Sequence, residues 1–160
     1  MDTHLDKSSF NSAFMLSNII FYALLTGQLF ILAIFWFLTT ERSSDTAEMD
    51  TIFTFIVPAV GLISMFLSRF IYSQGILKLN QNESIMSKLN KYRTLKIISW
   101  AILEGGALFA LVAFFLTANY LYVAVVIFIL GFFIFSRPSK EGFVMDMQIT
   151  GPEKETILRS

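Results

Sequence analysis

The chain of 160 residues contains no cysteine, and its only histidine is His4. Without thiols it can form no disulfide, no thiolate metal site and no cysteine nucleophile. With one histidine in a polar N-terminal segment, histidine-based zinc chemistry and a Ser-His-Asp triad are not expected. The sequence also lacks a nucleophile–base pair, a metal motif and a phosphate-binding loop. It therefore predicts a protein that is not an enzyme and that holds no resident cofactor or metal.

Charged residues are scarce and evenly divided between the two signs. They make up 15% of the chain, whereas soluble domains average about 25%. The twelve Lys and Arg are balanced by twelve Asp and Glu, so no basic field exists to bind nucleic acid. The chain is instead 55% hydrophobic, with 18 phenylalanines and a mean hydropathy of +0.65. This composition predicts an all-α protein embedded in a lipid bilayer.

Four segments are predicted to cross the membrane, because a helix needs about 20 apolar residues to span the hydrocarbon core. The run 97–136 carries no charge except Glu104 and is too long for one crossing, so we place a tight turn at 117–120. The predicted spans are about 15–39, 51–72, 95–117 and 120–136.

These four spans form a predicted transmembrane domain over 14–136, preceded by a tail at 1–13 and followed by a tail at 137–160. The loop 73–94 has apolar residues at roughly helical spacing, which predicts an amphipathic helix at the membrane surface that could continue the second or third span. It is either a docking face for a partner or an interfacial helix resting on headgroups. The C-terminal tail is too short for a domain, and we expect it to be disordered or to form a partner-binding strand.

Lysine and arginine are distributed unequally between the two sides of the predicted domain, which predicts its orientation. They concentrate between the second and third spans and after the fourth, whereas the loop 41–50 has one arginine among four acids. Both termini and the loop 73–94 are therefore predicted to be cytoplasmic, in a bacterial inner membrane. The cations expected to anchor that face are Arg69, Arg93, Lys96 and Arg137.

Two parts of the chain are similar to each other. The segments 27–35 and 106–114 share the pattern GxLFxLxxF at an offset of 79 residues. The second and fourth spans both end in a Ser-Arg pair, at 68–69 and 136–137. These matches indicate two helical hairpins in the same orientation, an arrangement known in membrane proteins. The alternatives are chance similarity in a chain rich in Leu and Phe, and arginines that simply extend to the interface.

Glu104 is the one charged residue inside a predicted span. It follows Lys96 by eight residues, which places it about 12 Å along the helix axis, within the hydrocarbon core. A carboxylate there costs at least about 2.5 kcal/mol, so we expect it to be protonated, paired or near water. Gln28 and Ser64 are predicted at similar depths and could converge with Glu104 on a site for H⁺ or Na⁺. The alternative is interhelical hydrogen bonding alone, at about 0.6 kcal/mol per pair.

Small residues and one proline in the spans predict where helices approach closely. Gly27, Gly105 and Gly106 would allow another helix to come near, because they carry no side chain. Pro58 and Gly61 are predicted to mark a kink or a close contact in the second span.

The segment 92–114 resembles the carboxylate-bearing helix of the proteolipid, subunit c, of rotary ATPases. It follows a polar segment and carries Glu104 three residues after Ala101 and immediately before Gly105. A chain of two hairpins is also similar to the V-type proteolipid. The preceding span, 53–68, differs in having no glycine repeat. The resemblance implies that Glu104 exchanges a proton.

Two functions are thus expected from the sequence. The first is a small ion- or proton-handling membrane subunit with Glu104 as the exchangeable acid. The second is an accessory membrane subunit or assembly factor in which Glu104 only pairs with a neighbouring helix. Both imply a homo-oligomer or a larger complex, because four helices enclose too little volume for an independent transporter.

The predicted orientation can be tested by labelling cysteines in this cysteine-free chain. We expect a membrane-impermeant thiol reagent added outside intact cells to label Ser44→Cys and to spare Asn82→Cys, because the cation-rich loop stays inside. Both variants should react after the membrane is permeabilised, which is the control. Labelling of Asn82→Cys alone in intact cells would show that the orientation is inverted.

Overall fold

The computed structural model describes residues 7–39, 47–78 and 83–159 of the chain. His4, the loop residue Ser44 and Asn82 lie outside these residues. The described chain is all-helical, as predicted, and has no strand. Its helices are α1 (Lys7–Thr39), α2 (Ala47–Leu77), α3 (Ile85–Thr117), α4 (Tyr120–Phe135), α5 (Lys140–Asp146) and α6 (Pro152–Leu158).

Three of these helices, α1 to α3, are long and apolar enough to cross a membrane. They contain 33, 31 and 33 residues, so each is well over 40 Å long. The 16 residues of α4 reach only about 24 Å. It qualifies as a span only together with α5, from which it is separated by a bend of 75°. The described chain therefore has three candidate spans, or four if this bent pair is counted, and it has the character of an integral membrane protein.

Helix α3 lies at the centre of the bundle and packs against α1, α2 and α4. Its buried residues lie on several sides of the helix and include Trp100, Leu103, Ala107, Ala110 and Leu111. Lipid tails are as apolar as these side chains, so burial alone gains little in a membrane and close packing must hold the helices together.

The closest packing in the bundle is between α2 and α3. A Cβ atom added to Gly106 would lie 2.8 Å from the Cβ of Ser64 and nearer still to its Oγ. Further along the same contact, the hydroxyls of Ser68 and Ser99 are hydrogen-bonded at 2.5 Å. Because Ser64 precedes Ser68 while Gly106 follows Ser99, these contacts make the two helices antiparallel. They also fix which side of α3 faces α2.

Helices α1 and α3 run in the same direction. The ring of Phe21 lies 5.3 Å from that of Trp100, and the ring of Phe35 lies 4.7 Å from that of Phe115, centroid to centroid. The partners are therefore offset by 79 or 80 residues, which matches the offset between the two similar segments of the sequence.

Helices α2 and α4 also run in the same direction. A Cβ atom on Gly61 would lie 3.0 Å from Val125 and 3.4 Å from Ile129, and the hydroxyls of Thr54 and Tyr122 are 3.5 Å apart. Thr54 and Tyr122 are 68 residues apart in the sequence, as are Gly61 and Ile129, and the same offset separates the two Ser-Arg pairs. The hairpins α1–α2 and α3–α4 thus pack in the register of the sequence repeat, while a common origin of the two stays a prediction.

The amphipathic segment predicted at 73–94 continues both the second and the third apolar helix. Most of it is helical, because α2 continues to Leu77 and α3 already begins at Ile85. Ser84 caps α3, since its Oγ accepts a hydrogen bond from the backbone N–H of Ser87. Hydrogen bonds from Lys91 and the hydroxyl of Ser87 lower the pKa of the Glu83 carboxyl. The amphipathic pattern in this segment therefore belongs to two membrane helices that extend beyond the hydrocarbon.

The prediction of a disordered or strand-forming C-terminal tail is wrong, because 140–146 and 152–158 form the helices α5 and α6. The N-terminal tail is also partly helical, since α1 begins at Lys7. These segments enclose an apolar cluster with the extended parts of α2 and α3, which we name the tail-end core. Its buried members are Phe10, Phe14, Tyr72, Leu89, Tyr92, Phe143, Val144, Met147, Ile149 and Ile157. We call this end of the bundle the tail end, and the opposite end the hairpin end.

The turn between the third and fourth apolar helices lies where it was predicted, at 117–120. Ala118 closes α3 in the left-handed conformation, with φ 54°. Asn119 then caps α4 by accepting a hydrogen bond from the N–H of Leu121 at 2.9 Å. The hairpin end is therefore compact, and the two helices leave it side by side.

The glycines predicted to support helix packing divide into two groups. Gly106 and Gly61 lie in tight contacts with neighbouring helices. Gly27 and Gly105 are exposed and have no atom within 4 Å of an added Cβ, so they make no close contact within the chain. Pro58 lies inside α2, which is helical on both sides of it.

The two adjacent glycines of α3 provide a matched pair of substitutions. Gly106→Ala should lower the free energy of unfolding by about 1–3 kcal/mol, because the new methyl group overlaps Ser64. Gly105→Ala should leave it unchanged or slightly raised, because that position is open. Thermal unfolding of the two variants in the same mild detergent measures the difference. Equal stability of the two variants would contradict the packing of α2 against α3 described above.

Candidate functional site

The three polar residues predicted to form a site lie in one layer of the bundle. Ser64 contacts Gly106, so it lies level with that residue of α3. The register of α1 against α3 places Gln28 level with Ala107. Glu104 is two or three residues nearer the tail end, which corresponds to about 3–4.5 Å along the axis. The similar depths expected from the sequence are thus seen in the structure.

Glu104 is half-buried and points away from α2. Gly106 faces α2, and a residue two positions earlier is rotated by about 200° around a helix. The exposed residues Ala101 and Gly105 are its neighbours on this outward side of α3. Within the described part of the chain the carboxyl has no hydrogen-bond or ion-pair partner. An acid in this position can be satisfied only by its own proton, by water or by another chain.

Gln28 is the most completely buried polar side chain of the layer, with 1% of its surface exposed. Neither its Nε2 nor its Oε1 atom has a hydrogen-bond partner among the residues at 7–39, 47–78 and 83–159. Leu25 and Ile31, on either side of it in α1, pack against the apolar interior. A buried amide without a partner is costly, so Gln28 is a source of strain in this chain or binds something beyond it.

Ser64, by contrast, is satisfied within its own helix. Its Oγ donates a hydrogen bond to the carbonyl oxygen of Gly61 at 2.8 Å, and only 6% of the residue is exposed. Its side chain also fills the space left free by Gly106. These contacts give Ser64 a role in helix packing that requires no ion.

The three residues share a depth but are not joined. No hydrogen bond links any two of Glu104, Gln28 and Ser64 in the described part of the chain. No group of three or more acidic or histidine side chains within 7–39, 47–78 and 83–159 could hold a metal ion. One chain alone therefore presents two separate unpaired groups, an outward-facing acid and an enclosed amide.

The four predicted anchor cations all lie at the tail end, but they differ in their surroundings. Arg69 and Arg137 are exposed, and Arg93 is half-exposed. Lys96 instead turns into the bundle, where its Nζ donates to the carbonyl oxygen of Ser136 at 3.3 Å. Its ammonium group also lies 4.5 Å from the centre of the Tyr72 ring, within the range of a cation–π contact.

One polar cluster escaped the sequence analysis, at the hairpin end. The Nδ2 of Asn119 donates to both carboxylate oxygens of Asp50, at 3.0 and 2.9 Å, and the Tyr122 hydroxyl donates to Oδ1 at 2.7 Å. These bonds tie the start of α2 to the turn between α3 and α4. The polar character of all three residues was visible, but their pairing depends on the register of α2 and α4, which spacing alone does not give.

Comparisons with models of protein families, with curated proteins and with solved structures find no match to this chain.

Replacing Gln28 tests whether its amide is only a structural cost. We expect Gln28→Leu to raise the free energy of unfolding by about 1–3 kcal/mol, because it removes two buried polar atoms without partners. Ser64→Ala is the control from the same layer, and it should not stabilise the protein because its hydroxyl is already bonded. Unfolding of purified protein in detergent gives both values. A destabilised Gln28→Leu would show that the amide does have a partner, such as water or another chain.

Proposed function

We propose that this protein is a four-span membrane subunit, with both termini in the cytoplasm, in which Glu104 exchanges a proton at a contact with another chain. The other chain is a second copy or a subunit of a larger complex in the same membrane. The bacterial inner membrane is the proposed location. The observation that carries this proposal is the unpaired, outward-facing carboxyl of Glu104 in the middle of the apolar bundle.

The four-span topology is supported by the directions of the helices. Because α1 and α3 run from the tail end to the hairpin end while α2 and α4 return, both ends of the chain lie on one side. The short α4 ends at Phe135 and is followed by Ser136 and Arg137, whose polar groups can reach the interface. The tail end also carries Arg69, Arg93 and Lys96, as expected of a cytoplasmic face.

The surroundings of Glu104 support a contact with another chain. Ala101 and Gly105 lie beside it on the exposed side of α3, four residues apart. Small residues at this spacing let a second helix approach closely in a membrane. The approach would enclose the carboxyl, and a proton or a polar group on the partner would then satisfy it. A free carboxylate facing lipid would be much less favourable.

Proton exchange is the function favoured over a purely structural contact. A structural pair needs a fixed donor, and Gln28, the other unpaired polar group of the layer, is enclosed on α1 rather than exposed beside Glu104. An acid that can be neutral in lipid and charged beside a polar partner can carry a proton between the two environments. The similarity of 92–114 to the proteolipid helix of rotary ATPases agrees with this proposal.

Labelling with dicyclohexylcarbodiimide tests the state of Glu104, because the reagent modifies protonated carboxyls in apolar surroundings. We expect mass spectrometry of protein labelled in native membranes to find the adduct on Glu104 and none on Glu153, an exposed carboxyl of α6. Glu104→Gln should abolish the adduct and keep the protein folded and assembled, since an amide retains the shape and hydrogen-bonding capacity of a neutral acid. Absence of labelling in the wild type would contradict proton exchange.

The assembly state of further variants separates the accessory function from the proposed one. Gly105→Leu should weaken association measured by chemical cross-linking in membranes, because the side chain blocks the approach of a second helix, while Gly27→Leu on the exposed side of α1 serves as control. If Glu104→Leu disrupts the assembly, Glu104→Gln stays fully active and the wild type is not labelled at Glu104, the accessory function is favoured and proton exchange is wrong.

A further inference from the structure

A small polar cavity opens at the tail end between α2, α3 and α4. It has a volume of about 120 Å³. Ser68 of α2 and Ser99 of α3, whose hydroxyls are hydrogen-bonded to each other, both line it. The cavity adjoins the tail-end core, since Tyr72 belongs to both, and its lining residues Ser68 and Ser99 are buried. It is separate from Glu104, which does not line it.

Two cations line this cavity, Arg69 from α2 and Lys96 from α3. Neither forms a salt bridge with any carboxylate in the described part of the chain. Asp146 lies close enough for its charge to act on Lys96, but it is one acid against two cations, it accepts the hydrogen bond of the Tyr72 hydroxyl at 2.5 Å and it does not line the cavity. The cavity therefore carries an excess of positive charge.

The position of Lys96 is fixed before any ligand arrives. Its Nζ donates to the carbonyl of Ser136 and lies over the ring of Tyr72. Ser136 is itself held by the indole N–H of Trp100, which donates to its Oγ at 3.1 Å. An ammonium has three donors, so two remain for a ligand. A cation positioned in this way forms an anion site with little loss of side-chain entropy.

The opposite rim of the cavity is apolar and faces the membrane. Phe132 and Phe135 of α4 line it, and Phe135 is 92% exposed. A ligand suited to the whole cavity has an anionic group for the cations and an apolar part for the aromatic rim. A free anion would leave the phenylalanines unused, whereas a phospholipid satisfies both parts at the depth where headgroups lie.

We propose that this cavity is a binding site for the phosphate group of an anionic phospholipid from the membrane leaflet at the tail end. Arg69 and Lys96 bind the phosphate, and an acyl chain follows Phe132 and Phe135 along α4. Basic pockets between membrane helices on the cytoplasmic side are known to bind lipid headgroups in this way. The bound lipid would join α2, α3 and α4 at their tail-end termini.

Native mass spectrometry of the full-length protein can measure this binding. The purified protein is titrated in neutral detergent with phosphatidylglycerol and, in parallel, with phosphatidylcholine. We expect Arg69→Gln to weaken the retention of phosphatidylglycerol about fivefold, the effect of one basic residue near an anionic lipid. The wild type should retain phosphatidylcholine more weakly than phosphatidylglycerol, because its choline cation is repelled by Arg69 and Lys96, and equal retention of the two lipids would contradict a site for anionic lipid. Arg69 is exposed and makes no hydrogen bond or ion pair with the described residues, so this variant is expected to fold normally.

Arg137→Gln is the matched control, because it removes an exposed arginine from the same end of the bundle that does not line the cavity. It should retain phosphatidylglycerol as the wild type does, and Lys96→Gln should lose as much as Arg69→Gln or more. Equal losses in Arg69→Gln and Arg137→Gln would overturn the site in favour of general surface charge. Displacement of the lipid by an equal concentration of inorganic phosphate would overturn the assignment to a lipid.

Discussion

The contact between Gly106 and Ser64 is the constraint on which the arrangement of this bundle depends. It brings α2 and α3 so close that even a methyl group on Gly106 would require a shift. Since a helix is a rigid cylinder, fixing one side of α3 fixes all its other sides. Trp100 then reaches Phe21 on α1 and Ser136 near the end of α4. Glu104, rotated by about 200° from Gly106, is directed out of the bundle.

The carboxylates Asp50 and Asp146 at the two ends of the bundle accept hydrogen bonds, whereas Gln28 and Glu104 in its middle have no partner within the described part of the chain. At the hairpin end, Asp50 accepts hydrogen bonds from Asn119 and Tyr122. At the tail end, Asp146 accepts one from Tyr72. These pairings would stabilise any helical bundle. The unpaired Glu104 in the apolar layer costs stability instead, which is why it carries the functional proposal.

The apolar helices and the turn at 117–120 could be predicted from the sequence, because long uncharged runs and a polar interruption report directly on membrane spans. The helix ends could not, since hydropathy marks where the hydrocarbon stops and not where the hydrogen-bonded helix stops. The amphipathic pattern at 73–94 predicted a helix that could continue the second or third span, but it did not show that α2 ends at Leu77 and that α3 already begins at Ile85. The tail helices were missed for a related reason, because seven residues such as 140–146 are too few for a periodic pattern to be convincing.

The sequence predicted how far along the helix axes the three site residues lie, but not the direction in which each side chain points. Residue counting placed Gln28, Ser64 and Glu104 in one layer, as the helix contacts show. Their directions depend on the rotation of each helix, which is set by the contact at Gly106. The amide of Gln28 is therefore enclosed, the hydroxyl of Ser64 is used by its own helix, and the carboxyl of Glu104 faces outward.

The rotation of α3 can be measured directly, because the chain contains no cysteine. Cysteines at Ser68 and Ser99, whose hydroxyls are 2.5 Å apart, should form a disulfide within one chain under mild oxidation in membranes. Cysteines at Ser68 and Ala101 should not, because Ala101 lies on the same outward side of α3 as Glu104. The measurement is the fraction of each double variant that migrates as an oxidised monomer on a non-reducing gel. A disulfide between positions 68 and 101, with none between 68 and 99, would mean that Glu104 faces the interior and would contradict this account.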